Sequence, residues 1–562
     1  MGQVTNDDLQ LQLQREVAIA LIALYPTTFS DHSMAQQLIS LDRPKDVGHG
    51  DFASSIALAL SKKLAKRPIE VAQEIKGYLE KSDTASIFLE KIEVAGPGFI
   101  NFYLNSKSQS NLILEILHSK ENYGSSDLLQ GEKINLEFVS ANPTGPLHLG
   151  HTRWAALGDS LARILRSQGA QVASEFYIND RGVQMDLFGQ SLQAAALNQP
   201  IPEDGYHGEY ISDLAKEILE KNPDILKLSP ADQVIEFRDL GYQLQLQEQK
   251  NVLENFRTSF DIWFSEKSLY ENDEFEQALA RLKAQGHVYI QEGATWLRTT
   301  DFGDDKDRVI MKSDGSLAYF ASDCAYYDSK RERGFTINIY LLGADHHGYV
   351  GRLKAIAAAR GDDPDKNIEI LIGQLVKIME AGVEVKLSKR AGTIITLSEL
   401  VEKVGVDAAR YTLLRYPSET PMVLDVDLLR KRTNENPVYY VQYAHARIFQ
   451  ILKSAKDLKI DFTNGNFDLL NQEVEKNLIS KLAAFREVVK SSAQLREPHR
   501  VPRYVEELAA AFHRFYTECR ILPQGDELVN DLHRTRLILA NATMQIIKNG
   551  LDLLGVSAPE RM

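Results

Sequence analysis

Cysteine is scarce in this sequence and long apolar segments are missing, and each deficit excludes a class of protein. The 562 residues include two cysteines, Cys324 and Cys519, too few for a disulfide framework or a four-cysteine zinc site. The chain has no apolar run of about 18 residues, and its first ten residues lack the basic and apolar segments of a secretory signal. We therefore expect a cytoplasmic protein with no membrane partner and no structural zinc.

The sequence also lacks internal repeats and low-complexity tracts. Its composition, 44% hydrophobic and 25% charged, is that of a folded globular chain and excludes disordered and fibrous classes. The net charge of −14 argues at first against a nucleic-acid ligand. The acidic excess lies in residues 123–405, however, whereas residues 406–562 carry slightly more basic than acidic side chains. Because the local patch decides where a polyanion binds, a nucleic-acid ligand is not excluded.

A strand–loop–helix–strand pattern begins the middle part of the chain. Residues 134–139 alternate apolar and polar side chains, and a loop rich in glycine and proline follows at 142–146. A helical stretch then ends at Gly169, and a second strand is predicted at 173–178. This is one βαβ unit of a doubly wound parallel sheet. Further apolar runs predict later strands of this sheet, at residues 337–342 and 368–376.

The patterns on either side of this unit divide the chain into three predicted domains. We predict an α+β domain at residues 1–122 and a Rossmann-type parallel-sheet domain at 123–405. Long polar helices at about 186–300 indicate an insertion in the second domain. Residues 406–562 are almost entirely helical in pattern, so we predict an all-α bundle there.

Two histidines one helical turn apart, His148 and His151, lie in the string PTGPLHLGH directly after the first strand. The start of the following helix offers unpaired N–H groups and a positive dipole end to a nucleotide phosphate. Both imidazoles could donate to phosphate oxygens, and Gly150 would let a flat base approach the backbone. The spacing alone is also typical of two surface histidines, and a zinc site would lack a third ligand. The position after the strand favours the nucleotide site.

A second motif, KLSKRAGT at residues 386–393, places three cations within five residues before a glycine. Such a loop could clamp a triphosphate while negative charge develops on the leaving pyrophosphate. The pattern is also typical of a solvent-exposed basic loop. Taken in this order and about 240 residues apart, the two motifs are far more specific than either one alone.

The pair of motifs resembles the HIGH and KMSKS signatures of class I aminoacyl-tRNA synthetases. The second motif departs from the usual pattern at Leu387, where methionine is usual, and at Arg390, but it keeps Lys389. Longer strings narrow the resemblance to the arginyl-tRNA synthetase family, and they cover essentially the whole chain. These strings are EFVSANPTGPLHLGHTR (137–153), FYINDRGVQM (176–185), GYHGEYI (205–211), YFASDCAYY (319–327), GADHHGYVGRLKA (343–355), NPVYYVQYAHARI (436–448) and SAPERM (557–562).

The resemblance implies a bacterial-type arginine–tRNA ligase. Such an enzyme uses ATP, with Mg²⁺ carried by this substrate, to convert L-arginine to arginyl-adenylate. It then transfers arginine to the 3′-terminal adenosine of tRNA(Arg), and the family requires bound tRNA before activation. Residues 1–122 would then recognise the tRNA elbow and residues 406–562 the anticodon, in a chain that we expect to be a monomer.

The resemblance also implies the residues of the catalytic site. The catalytic residues are His148, His151, Lys386 and Lys389. The ATP-binding residues are Pro143, Thr144, Gly145, His148, Gly150, His151, Ser388 and Lys389. The arginine-binding residues are Glu137, Ser140, Asn142, His148, Tyr319, Asp323, Asp345 and His346. Glu137 and Asn142 would hold the backbone end of the amino acid, and Asp323 would receive the guanidinium. Without the resemblance, Glu137 would be read as an outward-facing strand residue and Asp323 as a charge on a helix surface.

Two further segments resemble those with which this family contacts tRNA. The implied residues are Phe99, Asn101, Tyr439, Tyr443 and Arg447. Phe99 and Asn101 follow a turn at 96–98 between two predicted strands, where they would stack on an unpaired base and read its edge. The aromatic residues of the helical domain suit stacking on a splayed anticodon, but such spacing is also typical of a core. We expect only some of them to contact RNA.

Two other classes of function share some of these features. A small-molecule adenylyltransferase can use the same histidine motif on a parallel sheet, but the helical domain and the distant lysine motif argue against it. A catalytically silent tRNA-binding paralogue is disfavoured by the intact histidines and by Lys389. Pyrophosphate exchange with a panel of amino acids, with and without tRNA, separates the three.

Overall fold

The computed structural model describes residues 6–44, 47–271, 273–385 and 395–562. Within these ranges no helix is both long and apolar enough to cross a membrane.

The N-terminal part of the chain combines six helices with a small antiparallel sheet. Its elements are α1 (Asn6–Leu24), α2 (His32–Gln37), β1 (Phe52–Ser54), α3 (Ile56–Leu64), α4 (Pro68–Leu79), α5 (Asp83–Ser86), β2 (Leu89–Ala95), β3 (Phe99–Leu104) and α6 (Ser106–Ser119). The sheet order is β1-β3-β2, and β2 and β3 are the strand pair predicted around the turn at 96–98. Residues 9–104 bury a hydrophobic core of their own, whereas α6 packs its apolar side into the main core of the molecule.

The middle part of the chain contains the parallel sheet and the segments inserted between its strands. Its elements are β4 (Lys133–Glu137), α7 (Leu149–Ser167), β5 (Gln171–Ile178), α8 (Val183–Ala196), α9 (Glu209–Lys221), α10 (Pro230–Asn255), β6 (Ile262–Ser265), α11 (Ser268–Glu271), α12 (Glu274–Ala284), β7 (Val288–Gln291), β8 (Ala294–Leu297), β9 (Arg308–Met311), α13 (Tyr319–Glu332), β10 (Ile337–Gly343), α14 (Val350–Arg360), β11 (Ile368–Gly373), β12 (Val376–Glu380) and β13 (Val383–Glu384). Strands β7, β8 and β9 form a small antiparallel sheet.

The C-terminal part of the chain is mostly helical, as predicted. Its elements are α15 (Leu397–Val404), α16 (Val406–Leu414), β14 (Met422–Asp425), α17 (Val426–Arg430), α18 (Pro437–Asp457), α19 (Glu473–Ala483), α20 (Phe485–Gln494), α21 (Arg500–Glu518) and α22 (Asp531–Leu553). Helices α18, α21 and α22 pack on one another, and their apolar sides continue the core that covers the parallel sheet. The one departure from the predicted helical pattern is the short strand β14.

The central sheet has five parallel strands in the order β11-β10-β4-β5-β6. The first strand in sequence is therefore the middle one, and the chain winds outward from it in both directions. This is the predicted Rossmann-type topology, in which ligands bind beyond the carboxyl ends of the strands where the winding reverses, here between β4 and β10. Strand β6 falls within residues 186–300, so that stretch contains both helical insertion and a strand of the sheet itself.

Of the polar residues of β4, Lys133 at its start is exposed, but the two that follow are not. The strand alternates apolar and polar side chains, yet both Asn135 and Glu137 are buried, because both faces of a parallel sheet are covered. Asn135 Nδ2 donates to Glu175 Oε2 of the neighbouring strand at 2.7 Å. Glu137 is therefore not the outward-facing strand residue that its pattern alone would indicate.

The strand predicted at 368–376 is confirmed as far as Gly373 and is wrong beyond it, because the chain leaves the central sheet there. Strand β11 ends there, and β12 belongs to another sheet of order β13-β12-β14. Arg153 of α7 holds this exit by donating to the carbonyls of Gln374 (2.8 Å) and Thr420 (3.0 Å). The ring of Trp154 also packs so closely on Gly373 that a Cβ there would lie 1.5 Å from it.

Candidate functional site

The two histidines lie at the start of α7, beyond the carboxyl end of β4. The amide of Gly150 donates to His148 Nδ1 at 3.1 Å, and the amide of His148 donates to His151 Nδ1 at 3.3 Å. The two rings stack with their centroids 3.9 Å apart. Because each Nδ1 accepts a hydrogen bond, each neutral ring carries its proton on Nε2, which makes Nε2–H the donor group. The cap of the helix thus fixes both imidazoles in the tautomer that can donate to a phosphate oxygen.

The lysine motif, with Lys386, Ser388 and Lys389, lies outside the described residues. The described residues that flank it are tied to neighbouring segments. On its N-terminal side, Val385 donates to the carbonyl of Ile378 at 2.9 Å. On its C-terminal side, the amide of Leu149 donates to Ile395 O at 3.1 Å and the amide of Leu397 donates to Leu147 O at 2.8 Å. The structure therefore brings the residues that directly follow the lysine motif against the histidine segment, although almost 250 residues separate them in sequence.

The loop between β4 and α7 has an irregular backbone held by specific hydrogen bonds. Val139 and Ser140 adopt positive φ angles of 70° and 42°, a region that a β-branched residue rarely occupies. Ser140 Oγ donates to Glu137 Oε1 at 3.3 Å and accepts from the amide of Tyr177 at 3.2 Å. The strained turn is thereby fixed to both β4 and β5. Further along the loop, Pro143 and Thr144 are buried, whereas Gly145 is half-buried.

The side-chain amide of Asn142, in the same loop, is fixed through its nitrogen atom. Its Nδ2 donates to Gln184 Oε1 of α8 at 2.6 Å. With the amide nitrogen fixed in this way, Oδ1 is the acceptor that remains for a ligand donor such as an ammonium group.

Three carboxylates approach one another beside this loop. Asp323 of α13 is half-buried and has no hydrogen bond or ion pair within the described ranges. Its burial, with added repulsion from Glu266 and Glu137, raises its pKa to about 7 although Arg352 opposes the shift. Burial also raises the pKa of Glu266, which follows β6 and accepts from Ser322 Oγ at 3.1 Å. Such a group of carboxylates is suited to a cationic ligand, which would offset their mutual repulsion.

A buried network of charges lies beneath these carboxylates. Lys330 of α13 is fully buried, and its Nζ donates to Glu137 Oε2 at 2.5 Å. The ammonium group also lies 3.9 Å from the centre of the Tyr340 ring. Next to it, Arg333 donates to both oxygens of Glu175 at 2.6 Å and 3.0 Å. The charge of Glu137 is therefore largely balanced from within the protein, whereas Asp323 and Glu266 have no such partner at hydrogen-bond distance among the described residues.

Sequence reasoning missed Glu266 and Lys330. Glu266 directly follows a short strand, so the rule that ligands bind at carboxyl ends of strands would have found it had β6 been recognised. Lys330 lies two helical turns after Asp323 on the same helix, a spacing that puts both on one face. Buried lysines are rare, so no sequence pattern singles out Lys330 as a site residue.

The remaining residues predicted for arginine binding lie at the same edge of the sheet. Tyr319 is the first residue of α13, one turn before Asp323, and it is 94% exposed. Asp345 and His346 lie in a short 3₁₀ helix directly after β10, and the Asp345 carboxylate lies 3.7 Å from His346 Nε2. The His346 ring meets the Tyr349 ring edge-on. Their positions in these elements place the three residues near the carboxyl edge of the sheet, and their roles stay predictions.

In the N-terminal domain, the residues predicted to contact RNA differ in exposure. Phe99 is 41% exposed at the start of β3. Asn101 is only 4% exposed and pairs with Ala53 of β1 and Glu93 of β2 in the sheet. The aromatic ring is therefore accessible for stacking, whereas the amide is buried in the middle of the sheet.

The predicted RNA-binding tyrosines of the helical domain form part of an aromatic surface. Tyr439 and Tyr443 lie one turn apart on α18 and stack with their ring centroids 6.2 Å apart. The ring of His513 on α21 stacks on Tyr443 at 5.9 Å. Beside them, exposed Arg447 donates to the hydroxyl of Tyr516, and its guanidinium lies 4.7 Å from the centre of that ring. Half-buried rings and an arginine side by side are suited to stacking with unpaired bases.

Three family models match the chain, and together they cover most of it. The model described as the catalytic domain of class I (R) tRNA synthetases matches residues 112–445. The arginyl-tRNA synthetase N-terminal domain matches residues 11–104, and the DALR anticodon-binding domain matches residues 441–562. The parallel sheet with its paired histidines is thus the catalytic domain of a class I aminoacyl-tRNA synthetase.

Solved structures of similar fold indicate which family within this class the chain resembles. A putative arginyl-tRNA synthetase from Campylobacter jejuni is 34% identical, with a TM-score of 0.73 over 82% of this chain and 100% of its own. The arginyl-tRNA synthetase of Thermus thermophilus is 22% identical, with a TM-score of 0.74 over 98% of this chain and 99% of its own. That of Plasmodium falciparum is 16% identical, with a TM-score of 0.72 over 98% of both chains. The chain belongs to the arginyl-tRNA synthetase family, and its enzymatic activity is that of an arginine–tRNA ligase.

Proposed function

We propose that the crevice between β4 and β10 activates arginine with ATP and transfers it to tRNA(Arg). The observation that carries this proposal is the pair of backbone hydrogen bonds between the histidine segment and the C-terminal flank of the lysine motif, Leu149 N to Ile395 O and Leu397 N to Leu147 O. These bonds bring the residues that follow the lysine motif to the histidine segment, at the rim that also carries the carboxylate pocket. A site with phosphate donors on one side and carboxylates on the other suits a reaction between ATP and a cationic amino acid.

Arginine recognition rests on the unbalanced carboxylates. The guanidinium would bind Asp323 and Glu266, because burial raises the pKa of both and neither has a charged partner at hydrogen-bond distance among the described residues. The α-ammonium would bind Asn142 Oδ1 and the part of Glu137 that faces the loop. A neutral isostere such as citrulline would leave buried carboxylates unpaired, and this penalty is a strong basis for discrimination. Tyr319, Asp345 and His346 would close the pocket from its rim.

The nucleotide would bind at the start of α7. His148 and His151 would donate from Nε2 to phosphate oxygens, and Lys386 and Lys389 would stabilise the charge that develops on the α-phosphate and the leaving pyrophosphate. ATP would enter as its magnesium complex. The arginine carboxylate attacks the α-phosphorus, which gives arginyl-adenylate and releases pyrophosphate. The 2′-hydroxyl of the terminal adenosine then attacks the adenylate carbonyl and releases AMP, and no covalent enzyme intermediate is required.

The tRNA would contact both ends of the chain. The accessible ring of Phe99, with Asn101 behind it, would meet the tRNA elbow from the domain predicted at residues 1–122. The surface of Tyr439, Tyr443 and Arg447 would stack with anticodon bases from the domain predicted at residues 406–562. We propose that the enzyme works as a monomer in the cytoplasm, where tRNA is charged for protein synthesis.

Pyrophosphate exchange tests this proposal directly. We expect exchange with arginine alone among the amino acids, and only when tRNA(Arg) is present. Exchange without tRNA and with a different carboxylate substrate would favour a small-molecule adenylyltransferase, and tRNA binding without any exchange would favour a silent paralogue. Lys389→Ala should lower the exchange rate by orders of magnitude while tRNA affinity is retained, and an unchanged rate would contradict its assigned role.

A further inference from the structure

The string GYHGEYI folds against the loop that precedes the histidine helix. Tyr210, the last tyrosine of this string, lies at the start of α9, and its hydroxyl donates to Thr144 O at 3.0 Å. A second insertion helix, α10, contributes Gln249, whose Nε2 donates to Asn142 O at 3.0 Å and to Gly145 O at 2.8 Å. Three carbonyls within four consecutive residues are thus held by side chains of the helical insertion.

We propose that Tyr210 and Gln249 are positioning residues that hold the loop at 142–145 in the conformation needed for ATP. This inference rests on the proposed function, because it takes the loop to be part of the nucleotide site. It adds a role for helices α9 and α10 of the insertion, to which the proposed reaction assigns no residue.

The burial of both side chains indicates that the contacts are specific. Gln249 is fully buried, and both hydrogens of its amide are used on the loop while its Oε1 has no partner in the described ranges. An orphaned buried acceptor is costly, so the amide is oriented to satisfy the loop carbonyls at the expense of its own oxygen. Burial raises the pKa of Tyr210, which keeps the phenol protonated and able to donate at any working pH.

The direction of these carbonyls determines what the loop offers on its other side. In a planar trans peptide the N–H points opposite to the C=O, so fixing Thr144 O toward Tyr210 turns the Gly145 N–H away from the insertion. That N–H has no hydrogen-bond partner in the part of the chain that the structure describes. Proline at 143 and 146 removes two donors from residues 143–146, so the Gly145 N–H is one of only two that remain there. A fixed, unpaired N–H beside a helix start is a suitable donor for a phosphate oxygen.

The rest of the string serves to bring Tyr210 to this position. Gly205 packs so tightly that a Cβ would lie 2.7 Å from Ser191 Oγ of α8, and the next amide, that of Tyr206, donates to the same oxygen at 2.9 Å. Gly208 has a φ of 134°, which favours glycine. The chain therefore turns on α8 and begins α9 with the tyrosine directed at the loop.

Two variants remove the proposed contacts, and two matched variants serve as controls. Tyr210→Phe deletes one hydroxyl, and Gln249→Leu deletes both amide donors. Tyr206→Phe deletes the hydroxyl of the other tyrosine of the string, which makes no hydrogen bond among the described residues. Gln245→Leu alters a buried glutamine one turn earlier on α10, whose amide donates to Glu248 at 2.8 Å and not to the loop.

The measurements separate positioning from folding. We expect Tyr210→Phe to lower kcat/KM for ATP in tRNA-dependent exchange by about tenfold, the size of one lost hydrogen bond that holds a reacting group, with KM for arginine unchanged. Gln249→Leu should lower kcat/KM for ATP by on the order of 100-fold, since two buried carbonyls lose their donor. The affinity for a non-hydrolysable arginyl-adenylate analogue, measured by calorimetry, should fall in the same order. The two controls should match the unaltered enzyme in both measurements.

The result that overturns the proposal is wild-type kcat/KM for ATP in Tyr210→Phe, or an equal loss in Tyr206→Phe or Gln245→Leu. If Gln249→Leu does not fold, Tyr210→Phe decides alone, because loss of a single hydroxyl leaves the packing in place. An unaltered chain that fails to exchange with arginine contradicts the proposed function. An active chain whose Tyr210→Phe variant is unaffected contradicts only the positioning role.

Discussion

At the scale of single residues, the proposed arginine pocket is built at the expense of stability. Asp323 is half-buried beside Glu266 and Glu137, and its pKa of about 7 lies well above the 3.8 of an unperturbed aspartate. A carboxyl group whose pKa is higher in the folded than in the unfolded state weakens the fold increasingly as pH rises from the unfolded to the folded value. Above about pH 7 the full penalty is present, and it fades as pH falls toward 4.

Asp323→Asn is therefore expected to raise the thermal midpoint at pH 8, and to raise it much less at pH 5, in the absence of arginine. The reason is that the amide cannot ionise, so the penalty above neutral pH is removed. Thermal unfolding at the two pH values checks this, with Asp213→Asn on the exposed side of α9 as the control. A gain of equal size at both pH values would contradict the titration of Asp323. Arginine affinity should be lost in Asp323→Asn at either pH.

Lys330 and Glu137 form a buried ion pair, so removing either charge leaves the other without its partner. Lys330→Met leaves Glu137 buried without its cation, which is expected to cost about 3–5 kcal/mol of unfolding free energy. Adding Glu137→Gln to this variant removes the unpaired charge and should recover most of the loss. Urea unfolding of the single and double variants measures the difference. A double variant no more stable than Lys330→Met would show that packing around the lysine, and not the charge pair, dominates.

At the scale of elements, sequence patterns predicted the structure correctly where the tertiary environment favours the same conformation as the local sequence. The histidine helix follows its strand as predicted because glycine and proline mark the loop and apolar residues recur at helical spacing along α7. Sequence patterns failed where contacts with other elements determine where a strand lies or ends. Strand β6 is only four residues long, and the sequence analysis treats it as part of the insertion. Glu266, which follows this strand, is therefore missing from the predicted site. The end of β11 is set by Trp154 on another element, which no local pattern reports.

The close packing of α7 on the loop after β4 gives an element-scale prediction. A Cβ at Gly158 would lie 2.2 Å from the ring of Phe138, so Gly158→Ala must push the histidine helix away from the loop. We expect a loss of about 1–3 kcal/mol in unfolding free energy, together with a lower rate of pyrophosphate exchange. Gly77→Ala in α4 is the matched control, because the space around Gly77 is open and alanine favours a helix. It should stabilise by about 0.5–1 kcal/mol without changing exchange, and similar behaviour of both variants would contradict the packing argument.

At the scale of the whole molecule, the described residues bury their apolar side chains in separate clusters. These clusters differ in how much of the chain each one includes. One cluster runs from α6 through the central sheet into the C-terminal helices, so the catalytic and helical parts share a core. Residues 9–104 form a cluster of their own. Helix α6, which belongs to the larger cluster, is joined to the C-terminal part by the Ser106 and Asp468 pair and the Glu115 and Arg486 ion pair. Buried Arg410 adds to the larger unit by donating to Asp159 of α7 (2.5 Å) and to Leu554 O near the chain end (3.0 Å).

The chain is therefore expected to unfold in two calorimetric steps, a smaller one for residues 9–104 and a larger one for the catalytic and helical parts together. A chain that begins at residue 105 keeps the larger core intact and should show only the larger step, with the arginyl-adenylate analogue bound as tightly as by the full chain. Its affinity for tRNA should fall by about 10- to 100-fold, the size of a lost base-stacking contact at Phe99. Phe99→Ala in the full chain is the matched variant, and it should lower tRNA affinity while both unfolding steps remain. A single unfolding step in the full chain, or a shortened chain that does not fold, would mean that the two cores depend on each other in spite of their separate packing.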